Sequence, residues 1–242
     1  MVKTATAMTK VKAKQQKIPR MPRMGRASPR GGARGLENLR PGKLLALPEP
    51  LNGAFFGDHF RRYGVHDDGS CFFHTVCCAL NTSNCQNKSG SSRQRIGHQF
   101  RRMIQHKLTE ENWATVWSKR KVRDKGLLPN VAKVRSMLGN TKTWADVYMI
   151  FLTMDMSDLN LIFFDAASDQ VYCGVRGLNA ANQRTLLVLW INHAHFEPIV
   201  RLDGDEKPTF LFNTEDPFVS NLMQKYHKDL CPGKNDDIHN VL

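Results

Sequence analysis

Few residues in this chain could carry out covalent chemistry, and one of them occupies a favourable place. Cys71 opens the largely apolar run Cys71 to Leu80, directly behind the turn signal Asp67-Asp68-Gly69-Ser70. A cysteine in the first turn of a helix, next to a glycine turn, meets backbone N–H groups and the positive end of the helix dipole, and both favour the thiolate. The same turn offers N–H donors to an oxyanion forming beside the sulfur. A thiol nucleophile also needs a base from elsewhere in the fold. His195 is the best candidate because it opens the run His195-Phe196-Glu197-Pro198-Ile199-Val200. Strand alternation there puts His195 and Glu197 on one face and turns Phe196 to the core. A carboxylate two residues along can hold an imidazole's tautomer and orientation, which is the third role in a catalytic triad.

The same residue types allow other readings. A cysteine at a helix start in apolar company is more often a small buried hydrophobe than a nucleophile. His193 competes with His195 for the base, although it lies nearer the Asn192 turn and has no carboxylate two residues later. His74, one helical turn beyond Cys71, reads as a surface or packing residue. Cys77 and Cys78 fall in the apolar helix interior and read as structural, while Cys85, Cys173 and Cys231 suggest no role. The six cysteines contain no C-x-x-C pair, so a zinc knuckle is unsupported and free thiols are expected. No metal or other cofactor is called for.

The elements that must position these residues change character along the chain. Asp67 or Asp68 is placed to cap a short buried helix over 71–80, Asn81 stops it, and the polar stretch 81–92 reads as a loop. Ile96, Phe100, Met103, Ile104 and Leu108 recur at three- and four-residue spacing, the mark of an amphipathic helix over 93–107. Thr109 caps a further helix with Trp113, Val116 and Trp117, Pro129 opens one ending near Gly139, and 143–156 makes a fifth. The second half switches to short runs rich in β-branched and aromatic residues, at 159–165, 171–175, 185–191 and 196–201. Asp216-Pro217 then caps and opens a terminal helix to about Asp229. Helices, then an antiparallel or mixed sheet, then a helix, describe an α+β or three-layer domain.

Ahead of this domain lies a different kind of segment. Residues 1–43 hold twelve Lys/Arg against one acid, Glu37, and so carry +11 of the chain's formal +13; the remaining residues carry only +2. The segment has no aromatic residue and no periodicity, so 1–45 reads as a disordered basic tail before a domain over 46–242. Such a tail suits nucleic acid or a nuclear or nucleolar address, or serves as a solvating arm. The body of the protein is not built around a basic field. With 41% hydrophobic and 24% charged residues the chain can bury a real core, and no apolar stretch approaches a membrane span. The start, MVKTATAMTKVKAKQQK, lacks the apolar run of a secretory signal, so an intracellular protein with no membrane partner, and a monomer, is expected.

Three blocks of residues carry a family resemblance. Asp68-Gly69-Ser70-Cys71-Phe72-Phe73-His74 resembles the nucleophile motif of the ovarian-tumour (OTU) cysteine proteases, particularly the versions found in large DNA viruses. Trp144-Ala145-Asp146, leading a helix into Leu159 to Asp165, looks like the family's middle block, and Asn192 to Pro198 resembles its histidine block. The blocks come in the family's order over roughly 60–200. The resemblance implies a papain-like fold, its central sheet set between helical layers, and hydrolysis of isopeptide or peptide bonds after the C-terminal glycine of ubiquitin or a ubiquitin-like modifier. It makes Cys71 the nucleophile, His195 the general base and acid, and Glu197 the orienting residue. Asp68 would organise the oxyanion turn or share the third role. Ser70 stands where the family usually has Asn or Asp, and Glu197 where Asp or Asn is commoner. A viral origin would place the protein in the host cytoplasm or nucleus, or packaged in the virion. Two alternatives share the motifs: a processing protease acting on a viral polyprotein, and a non-catalytic module binding ubiquitin or nucleic acid. The intact Cys71, His195 and Glu197 set argues against the second, since binding requires none of them.

Overall fold

A computed structural model describes residues 40–81, 88–118, 129–167, 170–174, 184–192, 194–204 and 207–230. The expectations for 1–39 and for Cys85, His193 and Cys231 lie outside these residues. Among the described residues no helix is long and apolar enough to cross a membrane.

The chain enters through β1 (Leu44–Leu45), α1 (Glu49–Ala54) and β2 (Phe60–Tyr63), then turns into α2 (Cys71–Leu80). Four more helices follow: α3 (Gly90–Lys107), α4 (Glu110–Ser118), α5 (Val131–Gly139) and α6 (Val147–Ser157). The second half alternates strands β3 (Leu159–Asp165), β4 (Val171–Gly174), β5 (Arg184–Ile191) and β6 (His195–Leu202) with the short β7 (Pro208–Thr209) and β8 (Leu211–Asn213), and closes with α7 (Pro217–Leu230). The strands form one sheet in the order β1-β2-β6-β5-β3-β4, with β7 on β6 and β8 on β5. Among the described strands only β3 and β5 run parallel, so the sheet is mixed and mostly antiparallel, as expected for this α+β chain.

Local chemistry sets most element ends. Ser89, Asn130 and Asp146 each accept a hydrogen bond from the backbone N–H three residues on, capping α3, α5 and α6. Thr109 and Asn112 exchange backbone-to-side-chain bonds at the start of α4. Asp216 Oδ1 accepts from Phe218 N–H at 3.0 Å to start α7. The Ser89 cap explains why α3 begins at Gly90, inside the stretch read as loop, and the Asp146 cap why α6 begins later than residue 143.

The sheet carries apolar side chains on both faces. Leu161, Phe163, Val188, Trp190, Phe196 and Val200 belong to the larger core, which also holds Phe72, Phe73, Ile104, Trp117 and Leu152 of the helices. The alternate residues Ile162, Phe164, Leu187, Leu189 and Ile199 form a second core with Leu51 of α1 and Val219 of α7. A sheet apolar on both sides reads as continuous hydrophobic runs rather than alternation, as in β5. Two corrections follow. Leu44 and Leu45, assigned to the tail, pair with Tyr63 and Arg62 as strand β1, so the ordered domain begins ahead of residue 46. The whole entry, including α1 and β2, was not anticipated as elements: these pieces are short, and pairing with β1 on one side and β6 on the other makes a strand of β2.

Candidate functional site

The expected nucleophile lies at the start of α2, nearly fully buried at 1% exposure, and its thiol donates to Ala194 O over 3.7 Å. Ala194 immediately precedes His195, so the first turn of α2 and the start of β6 meet at one end of the sheet. His195 reaches that point because β5 and β6 form a hairpin in which Ile191 pairs with His195 and Leu189 with Glu197. The hairpin turns at Asn192, whose φ of 50° is left-handed, a conformation that asparagine tolerates better than most residues.

Alternation along β6 sends Phe196 into the larger core beside Phe72, with ring centroids 5.7 Å apart, and leaves His195 and Glu197 on the other face. His195 Nε2 lies 3.3 Å from Glu197 Oε1. The opposite nitrogen, Nδ1, has Asp67 Oδ1 at 3.3 Å but makes no well-formed hydrogen bond. Burial alone would lower the His195 pKa; contacts with Asp67, Cys71 and Glu197 outweigh it and raise the value well above 6.5. Glu197, fully buried, completes its coordination with Arg62: Nη1 donates to Oε2 at 2.8 Å.

Asp68 sits elsewhere than a third triad member would. Its Oδ1 accepts from Ser70 N–H at 2.8 Å, and its backbone carbonyl accepts from Cys71 N–H at 3.0 Å. The N–H groups expected to bind an oxyanion are therefore committed to Asp68 in this state. The helix itself starts at Ser70 without a side-chain cap, so neither Asp67 nor Asp68 caps α2 as anticipated. Asp68 instead gathers His74 Nε2 at 3.1 Å, His98 Nε2 at 3.1 Å and Gln94 Nε2 at 3.1 Å. Burial would raise its carboxyl pKa, but the His74 contact first, then Gln94 and Ser70, hold it well below the usual carboxylate range. His74 is thus a buried member of the site's scaffold. Gly97 makes room for it, since a Cβ there would strike the His74 ring.

A second buried group braces the same turn. Arg101, with no solvent exposure, donates Nη1 to Gly69 O at 2.7 Å and to Ser70 Oγ at 3.1 Å, Nε to Leu138 O at 2.8 Å, and Nη2 to Met137 O and Asn140 O, both at 2.7 Å. One side chain of α3 therefore ties the turn before Cys71 to the end of α5. A Cβ on Gly69 would meet the backbone of Thr141 and Lys142, so only glycine lets that segment close on the turn.

Of the expected site residues, the structure brings Cys71, His195 and Glu197 together and puts Asp68 under the turn. Cys77 and Cys78 lie buried in α2. Sequence reasoning did not single out Asp67 at the imidazole, Arg62 behind Glu197, or Gln94, His98 and Arg101 around the turn. The i, i+3 pair His98 and Arg101 on α3 was the available signal: polar side chains on the buried side of an amphipathic helix. For a metal, the ligating atoms of Asp68, His74 and His98 lie within 4.8 Å of one another. Their hydrogen bonds account for that spacing, because the Asp68 oxygens already accept from Ser70, His74, Gln94 and His98.

No family model and no curated protein sequence matches the chain. Among solved structures it is similar to an OTU domain in complex with ubiquitin, at 15% identity and TM-score 0.45 over 68% of this chain and 81% of that one. It is also similar to the Hazara virus OTU bound to ubiquitin, at 14% identity and TM-score 0.40 over 60% and 84%. The viral OTU domain protease from Dera Ghazi Khan virus is similar at 18% identity and TM-score 0.39 over 60% and 83%.

Proposed function

We propose that this domain is an OTU-type cysteine protease that hydrolyses peptide or isopeptide bonds after the C-terminal glycine of ubiquitin or a ubiquitin-like modifier. The observation that carries the reading is the convergence of Cys71, His195 and Glu197, brought from distant positions onto one end of the sheet in the order thiol, imidazole, carboxylate. The substrate class comes from the OTU-like sequence blocks.

The chemistry follows from the two faces of the imidazole. With its Nε2–H directed at Glu197, His195 presents the Nδ1 lone pair towards Cys71 and takes the thiol proton. The thiolate attacks the carbonyl carbon of the scissile bond, and imidazolium returns the proton to the leaving amine. Water then enters, loses a proton to Nδ1, and hydrolyses the thioester. Asp67 beside Nδ1 adds negative charge that favours the imidazolium. The oxyanion requires donors from the turn, so Cys71 N–H must exchange its bond to Asp68 O for the substrate oxygen as the substrate seats.

The test is incubation with ubiquitin bearing a C-terminal electrophile, with mass spectrometry of the adduct. A single adduct on Cys71 is expected, and labelling of Cys85 or Cys231 instead would remove the assignment. Binding of ubiquitin without labelling would favour the non-catalytic module, and cleavage of a viral precursor with no action on ubiquitin would favour the processing protease.

A further inference from the structure

Arg62 is a charged residue in an unexpected position. It lies on β2, two strands from β5, at 4% exposure, and Glu197 on β6 is fully buried. Taking a carboxylate and a guanidinium out of water is costly, and such a pair is tolerated only where geometry and further hydrogen bonds offset the lost hydration. Here both conditions hold. Arg62 Nη1 donates to Glu197 Oε2 at 2.8 Å, and Nε donates to Ala46 O at 3.2 Å. The other Glu197 oxygen lies 3.3 Å from His195 Nε2.

We infer that Arg62 is a positioning residue of the site: its guanidinium keeps the buried Glu197 carboxylate charged and in place, and through Glu197 decides which nitrogen of His195 carries the proton. The inference rests on the catalytic reading of Cys71 and His195 and deepens it. A charged Glu197 only accepts hydrogen bonds. His195 must then carry its proton on Nε2, which leaves Nδ1 free as the base. A carboxyl buried without a counter-charge takes up a proton instead. The neutral acid can donate to Nε2, forcing the proton onto Nδ1, where it blocks transfer from the thiol. Arg62 donates to Glu197 and to Ala46 O, so it acts on the imidazole through Glu197. The role also fits the longer acid at this position. A carboxylate that must reach the imidazole with one oxygen and a guanidinium on the next strand with the other needs the extra methylene of glutamate.

The charged and titratable groups facing the pair are His195 on the same strand, Arg62 from β2, and Asp67 and Cys71 from the turn and α2. Their separation requires variants that differ in charge and shape. The full chain would be assayed as wild type, Arg62→Met, Arg62→Lys, Glu197→Gln and the double variant Arg62→Met/Glu197→Gln. Two readouts are needed: turnover of a ubiquitin fusion, and the pH dependence of Cys71 alkylation by iodoacetamide, followed by peptide mass spectrometry.

Arg62→Met is expected to lower kcat on the order of 10² with a much smaller change in KM, since the loss is confined to the chemical step. Its alkylation profile should gain a new ionisation on the acid side, so that reactivity recovers as pH rises and Glu197 gives up its proton. Arg62→Lys keeps the charge, so it should keep the wild-type profile even where stability falls. Glu197→Gln should show no new acid-side ionisation and should instead move the single rise in reactivity to higher pH, because an imidazolium without its counter-charge supports the thiolate less well. The double variant should react like Glu197→Gln alone.

An unmoved profile in a folded Arg62→Met, or a double variant slower than Glu197→Gln by the full Arg62→Met factor, would overturn the inference. If Arg62→Met fails to fold, Arg62→Lys and the double variant still decide, because a buried pair removed together leaves no orphaned charge. Failure of the ubiquitin reading is separable. A wild type inert towards ubiquitin whose alkylation profile shifts as described discards the substrate and keeps Arg62.

Discussion

The nucleophile's turn and the base's strand meet within one site but are held by different means. The turn before Cys71 is braced from a distance: Arg101 reaches it from α3, and His74, Gln94 and His98 converge on Asp68 from α2 and α3. His195 and Glu197 are held by strand register, with β5 fixing where they lie and Arg62 of β2 supplying the counter-charge. A loop has no ladder of its own, so its geometry must be imposed by side chains from several elements. A strand inherits its geometry from neighbours, so two residues in alternation suffice. The difference predicts that damage to the turn appears as lost stability together with lost activity, whereas damage to the strand residues appears in the chemistry first.

The largest effects should come from the groups that touch substrate. Cys71→Ala is expected to remove ubiquitin-probe labelling and cleavage, a loss of about 10³ or more in rate, with an unchanged circular dichroism spectrum. His195→Ala should fall to a similar background while His193→Ala retains most activity. The reverse ranking would shift the histidine block by one alternation and remove Glu197 from its role.

Next in size is Arg101→Leu, which removes a charged donor from the carbonyls of Gly69, Met137, Leu138 and Asn140 at once. A stability loss of about 3 kcal/mol or more is expected, read by urea denaturation, with activity falling alongside. Arg101→Lys should recover little, because a point charge cannot serve a fork of separated acceptors. If Arg101→Leu left stability intact and reduced only kcat, the turn would be held by something other than this side chain.

These two halves were legible in the sequence to different degrees, for the same physical reason. The i, i+2 spacing of His195 and Glu197 and the break before Cys71 are local patterns, and α2 and β6, which carry them, lie close to the expected runs, as α7 does behind its Asp216 cap. Arg101, His98 and Gln94 act across about thirty residues of chain, and nothing local marks them except polarity on the buried side of α3. The entry strands were missed because β1 and β2 are strands only by virtue of pairing with what comes later in the chain. The roles of Asp67 and Asp68 exchanged in part for a related reason. Adjacent residues of a turn point in different directions, and backbone geometry rather than residue type decides which carboxylate meets the histidine.

A smaller effect probes the contact between α2 and α3. In an exposed helix Gly→Ala would stabilise by up to about 1 kcal/mol, but on Gly97 the new methyl meets His74. Gly97→Ala is therefore expected to destabilise by about 1–3 kcal/mol and to lower activity by displacing His74 from Asp68. A stabilised variant would show that the His74 ring can move aside without cost to the turn.

The subtlest prediction separates the two halves by pH. Asp68 has a depressed pKa in the folded domain, so its contribution to stability is complete above its ordinary value of 3.8 and is lost as pH falls towards the folded value. His195 has a raised pKa, so its contribution is complete below 6.5 and is lost as pH rises through the folded value. The turn should therefore weaken in acid and the histidine side in alkali. Melting temperatures of wild type, Asp68→Asn and His195→Gln across pH 3 to 9 would show it. The gap between wild type and Asp68→Asn should narrow as pH drops below about 4, and the gap to His195→Gln should narrow as pH climbs past about 6.5. Both gaps closing at the same end of the scale would mean that the two halves share one electrostatic network, and that Asp67, lying in sequence between β2 and Asp68, couples them.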